Sequence, residues 1–548
     1  MLTRSRQRSG KMALFSAFWT TGEHTMNAIS RRDVLKLGVL GGAVIALPLE
    51  HTVSAQTISA GRLAASKLPR PFTVPFSVPP ILTPTRSTSS TDFYRVEMRP
   101  ANAEIIPGLT TPIWGYNGIS PGPTVVVRPG RQTVMRQINA LPTIDPVLRF
   151  TPWTSVHLHG SPSLPQFDGY ANDITNPGQY KDYQYPNISA RTLWYHDHGV
   201  HHTTVTVGMG LAAQYQVHDA LEQSLPLPTG AYDVPLIVSD AMFAPDGSIL
   251  FDDNDQTGVF GDVILVNGRP WPAMPVARRK YRFRLLNASI TRTYRFYLDS
   301  GDPFAIIGTD AGLVPHPIRT PDFRHAPAER YEFVLDFSRF PVGQRVVLRN
   351  RSPKNNVEYA NTDKIMAFDV VGAAFDPAAN TIPDVLNPDN ATMALLPSQA
   401  VATRHFEFVR DSGLWTINGH TWQDVVDSAF RLVEASPRFG DIETWEFKND
   451  SGGWHHPVHV HLVDFKILDR NGRSPFSYEM GPKDVVYVGE GETVRVLMRF
   501  NQGQGRYMMH CHNLVHEDHD MMTQFEVVGA NEADPLGTPA RSLPEAPL

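Results

Sequence analysis

The chain has 548 residues, 41% hydrophobic and 19% charged, enough apolar material for two to four soluble domains. A formal net charge of -6, with no basic cluster beyond the N-terminus, leaves no electrostatic footprint for nucleic acid. A single cysteine excludes an intrachain disulfide, so the fold must rest on its core.

Residues 1–55 read as an address rather than as structure. Arg31-Arg32 precedes a short apolar run, Leu37 to Leu49, and Val53-Ser54-Ala55 offers small residues for cleavage before Gln56. The run is too short and too rich in glycine for a membrane span, and no later stretch is long enough either. The paired arginines resemble a twin-arginine signal. They imply a partner in the twin-arginine export machinery, delivery to the periplasm or outside the cell, and no stable membrane span. Met26 is a second candidate start.

A Pro/Thr/Ser-rich lead, Lys67 to Thr91, is expected to be extended. Beyond it a weak pattern repeats three times. The copies open on TPIWGYNGISPGPTVVVRPGRQTVMRQINA from Thr111, DVILVNGRPWPAMPVARRKYRFRLLNAS from Asp262, and LWTINGHTWQDVVD from Leu414, with TWEFKND following from Thr444. Each sets Asn-Gly after an apolar strand, at Asn117, Asn267 and Asn418, a pair that favours a tight turn with positive φ. In the first two, an alternating strand then runs into Asn139 or Asn287. Short strands, frequent turns, 46 prolines and 40 glycines predict an all-β chain of three β-sandwich domains at 70–225, 226–380 and 381–532. Pro-rich linkers are expected near Leu225–Pro228 and Ile382–Pro388, and a loose tail over 533–548.

Ten of the 21 histidines lie in four clusters: His157/His159, His196/His198, His456/His459/His461 and His510/His512/His516. Four times the spacing is H-x-H, which on a strand points both imidazoles to one face. One such pair is more often two solvated histidines than a metal site. Four pairs at corresponding strand ends are costly to bury unless a cation draws their lone pairs together. Imidazoles with one thiolate suit copper, zinc or iron.

Cys511 decides among them. It faces away from His510 and His512 and so belongs to a second site. With His456, His516 and the thioether of Met521 it makes the His₂Cys set of a blue copper centre, whereas structural zinc would want more cysteines. Met522 competes with Met521 for the axial place. The remaining eight imidazoles suffice for three coppers with positions open for dioxygen. A donor is expected to approach the edge of His456 or His516 at the protein surface.

The motifs HLHG, HDH, HPVHVHL and HCHNLVHEDHDM resemble, in order, those of the multicopper oxidase family, closest to its spore-coat laccase and bilirubin oxidase branch. The resemblance implies three cupredoxin-like Greek-key domains and four coppers. It places a type 1 copper on His456, Cys511, His516 and Met521, and a type 2 copper on His157 and His459. One type 3 copper would take His159, His196 and His512, the other His198, His461 and His510. The middle domain carries none of these residues. Two departures, Leu158 for a common Trp and Leu462 for a common Gly, touch no ligand. The resemblance also marks two acids, Asp168 in QFDGY and Glu517 after His516, for the proton supply that dioxygen reduction needs. His202, His455 and His519 lie outside the ligand positions.

The implied activity is oxidation of phenolic or related aromatic donors coupled to reduction of dioxygen to water. Bilirubin, aminophenols, Mn(II) or Cu(I) are alternative donors, although no Met-rich run supports Cu(I). A copper carrier or scaffold is the non-enzyme alternative, and it would be expected to have lost ligands; none is missing.

Overall fold

In the computed structural model, residues 61–145, 149–374 and 381–548 are described, so residues 1–55, expected to be an export signal, lie outside them. Among the described residues six β-sheets form three pairs along the chain. The first pairs the sheet of Thr91–Ala103, Thr111–Tyr116, Gln132–Asn139 and Gln179–Tyr185 with that of Val125–Val127, Val156–His159, Arg191–Asp197 and Ala212–Val217. Tyr94, Val96, Met98, Val156, Leu158, Leu193 and Tyr195 from both sheets share one core. Equivalent cores fill the second and third sandwiches. Among the described residues no helix is long and apolar enough to cross a membrane.

The threefold repeat is visible down to single hydrogen bonds. Each sandwich repeats an equivalent parallel pairing: Thr91–Met98 with Gln132–Asn139, Asp233–Val238 with Arg282–Asn287, and Ala402–Phe408 with Glu443–Asn449. Parallel strands need a long crossover, and the Asn-Gly hairpin lies inside it. Asn117, Asn267 and Asn418 take φ of 55°, 50° and 53°. Their side-chain oxygens accept from the backbone N–H of Glu97, Ile237 and Glu407 at 2.9, 2.8 and 2.8 Å. The strand-final Asn139 and Asn287 have a third counterpart in Asn449, which the sequence pattern did not single out. Each donates to two backbone carbonyls and accepts from the N–H two residues on. The chain is all-β, built of cupredoxin-like sandwiches.

Two elements tie the sandwiches together. The strand Arg191–Asp197 is buried along its whole length, because Leu193 and Tyr195 face its own core while Trp194 joins a cluster shared with Ile237, Leu286, Val485 and Leu514. Arg330 of the second sandwich donates to the Thr192 carbonyl of the first at 3.0 Å and to Asp484 of the third at 2.6 Å. The Pro-rich connections are packed as well: Leu227 and Leu386 bury against Ile307, Leu313 and Val314.

The tail over 533–548 is not loose. Arg541–Ser542 pairs antiparallel with Gln179–Tyr180, extending the sheet beyond an otherwise open edge strand. Glu545 accepts from Arg95 at 2.7 Å and from Arg136 at 3.4 Å. Arg136 is buried and also holds Asp182 at 2.7 Å, so the tail satisfies donors that the first sandwich leaves open. A composition rich in Pro, Ala and Gly hides this, because the partner is a distant edge.

Candidate metal centre

The histidine clusters lie on, or just past the ends of, two pairs of neighbouring strands, with His516 on the short helix Leu514–Asp518. Val156–His159 pairs with Arg191–Asp197, setting His157 opposite His196, and His456–Val460 pairs with Gly505–Cys511, setting His459 opposite His510. Alternation then divides the side chains. Leu158 enters the first core and Val458, Val460 and Cys511 the third, while the histidines between them face the other sandwich. There His159 stacks on His459 at 3.7 Å between ring centroids, and His157 on His461 at 4.0 Å. Leu462, standing where the family often has Gly, takes φ of 72°; Gly160, after His159, takes 85°. The usual glycine thus has a conformational reason, and Leu462 occupies the same left-handed region with its side chain buried.

Donor atoms converge in groups lying within 4.8 Å of one another: His157, His159 and His459; His159, His196 and His512; His198, His461 and His510; and His456, Cys511 and His516. All are buried. In the large cluster one ring nitrogen of most histidines is tied outward. His157 Nδ1 bonds the Asp168 carbonyl at 2.5 Å, His196 Nδ1 the Asp197 carbonyl at 2.8 Å, and His459 Nδ1 the Asp484 carbonyl at 2.8 Å. His159 is reversed, with Nε2 to Asp484 Oδ1 at 3.2 Å. The nitrogens left over, Nε2 of His157, His196 and His459 and Nδ1 of His159, are buried without a hydrogen-bond partner, as are both of His512. In the third group His510 Nε2 lies 3.1 Å from His198 Nε2 and 3.2 Å from His461 Nε2. Their outer nitrogens face carboxylates: His461 Nδ1 meets Asp168 at 2.7 Å, and His510 and His198 meet Glu517 at 3.0 and 3.7 Å. Lone pairs pointed at one another in a dry interior are favourable only around a cation. The site therefore fits imidazole-bound metal.

Burial, then neighbouring imidazoles, holds His157, His159, His459, His461 and His512 well below the usual histidine range. Burial brings His198 down to about 4 and His510 to about 3. The reverse holds for the acids, where burial pushes Asp168 well up and Glu517 up. Asp484 was not legible as part of the site, since KDVVYV carries no ligand pattern. It is held by Arg330 and braces both His159 and His459.

The smaller site lies inside the third core. His456 Nδ1 is 3.3 Å and His516 Nδ1 3.5 Å from Cys511 Sγ, and the two nitrogens are 3.3 Å apart. Met521 is fully buried in the apolar cluster that holds Cys511, and its carbonyl accepts from the Cys511 N–H at 3.1 Å. Met522 packs instead with Tyr170, Trp422 and Met508, which removes it as a rival. Burial raises the Cys511 thiol well above its ordinary range, so formation of the thiolate there needs a compensating cation. Neither histidine reaches the surface as expected: His456 is 0% and His516 1% exposed. Trp415 stacks on His516 at 3.8 Å, and the Thr257 carbonyl of the second sandwich caps His516 Nε2 at 3.2 Å. Outside both sites, His202 lies against Phe150 and Trp153, His455 stacks on Tyr487, and His519 bonds the Val515 carbonyl.

Two family profiles, both described as multicopper oxidase, match residues 97–221 and 395–531. The chain is 40% identical to the bilirubin oxidase of Albifimbria verrucaria, over 92% of this chain and 89% of that protein. It is 32% identical to the laccase of Bacillus subtilis, over 82% of this chain and 97% of that one. Among solved structures, a laccase from Pediococcus acidilactici matches with a TM-score of 0.75 at 27% identity, over 85% of this chain and 95% of the other.

The depressed imidazoles make a prediction. In metal-free protein they bind fewer protons folded than unfolded, so stability is full above the ordinary histidine value, near 6.5, and falls as pH drops toward 4 and below. For His198 alone the loss by pH 4 is about 3 kcal/mol. Acid titration followed by circular dichroism should give a copper-free midpoint inside this window. Copper loading should move the midpoint to lower pH, and coincident midpoints would refute the metal-linked account.

Proposed function

Because this chain belongs to the multicopper oxidase family, copper-dependent oxidoreductases with dioxygen as acceptor, we propose that it oxidises phenolic or related aromatic donors one electron at a time and reduces dioxygen to water. The observation that carries the reading is the placement of Cys511 in one site while its covalent neighbours His510 and His512 stand in the other. His456, Cys511, His516 and Met521 would hold a type 1 copper. His157 and His459 would hold a type 2, and His159, His196, His512 with His198, His461, His510 two type 3 coppers. Bound there, copper supplies one-electron transfer at the thiolate and multi-electron reduction of dioxygen between the sandwiches.

The protein's own groups do the rest. Asp168 orients His461 through Oδ2, and its Oδ1, buried without a hydrogen-bond partner and 3.6 Å from His157 Nδ1, is the atom that holds a proton. Its raised pKa keeps that proton at pH values where an exposed aspartate has lost it. Glu517 places its carboxylate against the outer nitrogens of His198 and His510. Trp194 stacks on His196 at 3.9 Å and fixes the ring. The relative named bilirubin oxidase favours a second donor reading, a tetrapyrrole, and a donor panel on copper-loaded protein separates the two.

Export through the twin-arginine route is part of the proposal, supported by Arg31-Arg32 and the apolar run after it. An Arg31→Lys/Arg32→Lys variant should accumulate inside the cell, and normal export of that variant would exclude the route.

Copper-loaded protein, with about four coppers per chain, should consume dioxygen when given a phenol. Absence of uptake at that loading would sink the oxidase reading. Cys511→Ser should lose the visible band and donor oxidation while keeping about three coppers; an unchanged spectrum would overturn the assignment of the thiol. Asp168→Asn should slow dioxygen reduction about a hundredfold with the visible band intact. The turnover of unsubstituted protein should fall as pH rises through the raised Asp168 value, and the variant should lose that dependence. Matching pH profiles would remove the proton role.

A further inference from the structure

We infer that donor electrons enter through the loop Asp252–Thr257 of the second sandwich, and that the charge of this loop selects cationic aromatic donors over anionic ones. The inference rests on the reading of Cys511 as the ligand of an electron-accepting copper.

No donor can touch either imidazole of that site, because both are buried. The His516 ring nevertheless spans the barrier. Its Nδ1 faces Cys511 Sγ, and its Nε2 bonds the Thr257 carbonyl at 3.2 Å. The loop is clamped at three successive carbonyls by the third sandwich. Arg410 donates to Asp255 O at 3.1 Å, Trp415 Nε1 to Gln256 O at 2.9 Å, and Asn513 to Thr257 O at 3.1 Å. The Trp415 ring lies on His516, and the Arg410 guanidinium stands 4.9 Å from the Trp415 ring centroid.

Asn254, Asp255 and Gln256 all take positive φ, of 49°, 58° and 62°. Three such residues in a row cost about 1 kcal/mol or more each and persist only where surrounding contacts enforce them. The result is a loop with its carbonyls held by the thiolate site and Asp252, Asn254 and Asp255 exposed. The other imidazole offers no such path. His456 Nε2 meets Ser451 Oγ at 2.7 Å, but Ser451 is buried and its hydroxyl donates inward to the Phe408 carbonyl.

Asp252, Asp253 and Asp255 form no ion pair among the described residues, and the Arg410 guanidinium that touches the loop bonds a backbone carbonyl rather than a carboxylate. Three carboxylates against one contacting guanidinium leave the loop with net negative charge, which favours the approach of a cationic donor, an aromatic ammonium for example. One electron leaves the donor for the thiolate-bound copper, any proton released goes to bulk water, and dioxygen is the final oxidant.

The test uses full-length, copper-loaded protein without oxygen, at low ionic strength. Bleaching of the visible band is followed after mixing with hexaammineruthenium(II), a cation, or ferrocyanide, an anion. In the Asp252→Asn/Asp253→Asn/Asp255→Asn variant the ratio of cation to anion rate constants should fall about tenfold, with the band unchanged. Asn keeps the Asp252 oxygen that caps Asn254 N–H, so the loop conformation should persist. A second variant, Glu407→Gln/Asp450→Asn, removes exposed charge beside Ser451 and should leave the ratio alone. An unchanged ratio in the loop variant, or a shift in the second variant instead, overturns the inference. A missing visible band in unsubstituted protein would instead sink the underlying reading of Cys511.

Discussion

Unprotonated imidazole lone pairs that converge in a dry interior are the constraint on which this structure turns. Such an arrangement repels itself until a cation fills it. Everything around it works to hold ring nitrogens in place beforehand. Asp168 and Asp484 each fix two imidazoles, one through a backbone carbonyl and one through a carboxylate. Glu517 faces two more. Each outward bond sets a tautomer and leaves the other nitrogen free to act as a ligand.

Because the imidazoles come from two sandwiches, the contact between those sandwiches is part of the metal centre. The second sandwich carries none of the proposed ligands, yet it braces both sites. Arg330 reaches from it to Thr192 and to Asp484, and its Thr257 carbonyl caps His516. The tail adds a further tie, running from the third sandwich to the edge of the first.

The first and third sandwiches are variants of one plan. Asp197 stands where Cys511 stands in the aligned motif. Instead of binding metal it accepts from Ser155 N–H at 2.7 Å and Thr206 Oγ1 at 2.6 Å, closing the first core with local hydrogen bonds. One strand therefore keeps only its outward histidines, and the other keeps a ligand on both faces. That asymmetry is what sets the Cys511 site directly beside the larger imidazole cluster.

The repeat and the division of the candidate ligands were both legible before any folding was known. Strand alternation and the Asn-Gly turns are local rules, so H-x-H spacing was enough to send Cys511 to one site and His510 and His512 to another. Asn449, Asp484, the docked tail and the Thr257 cap were decided only by tertiary structure. Each gains its role from a partner far away in the chain, an open edge, a ring nitrogen or a neighbouring sandwich, which no local pattern encodes. The surface placing of His456 and His516 failed for the same reason: exposure depends on what packs over a residue, and here a loop from another sandwich covers the ring.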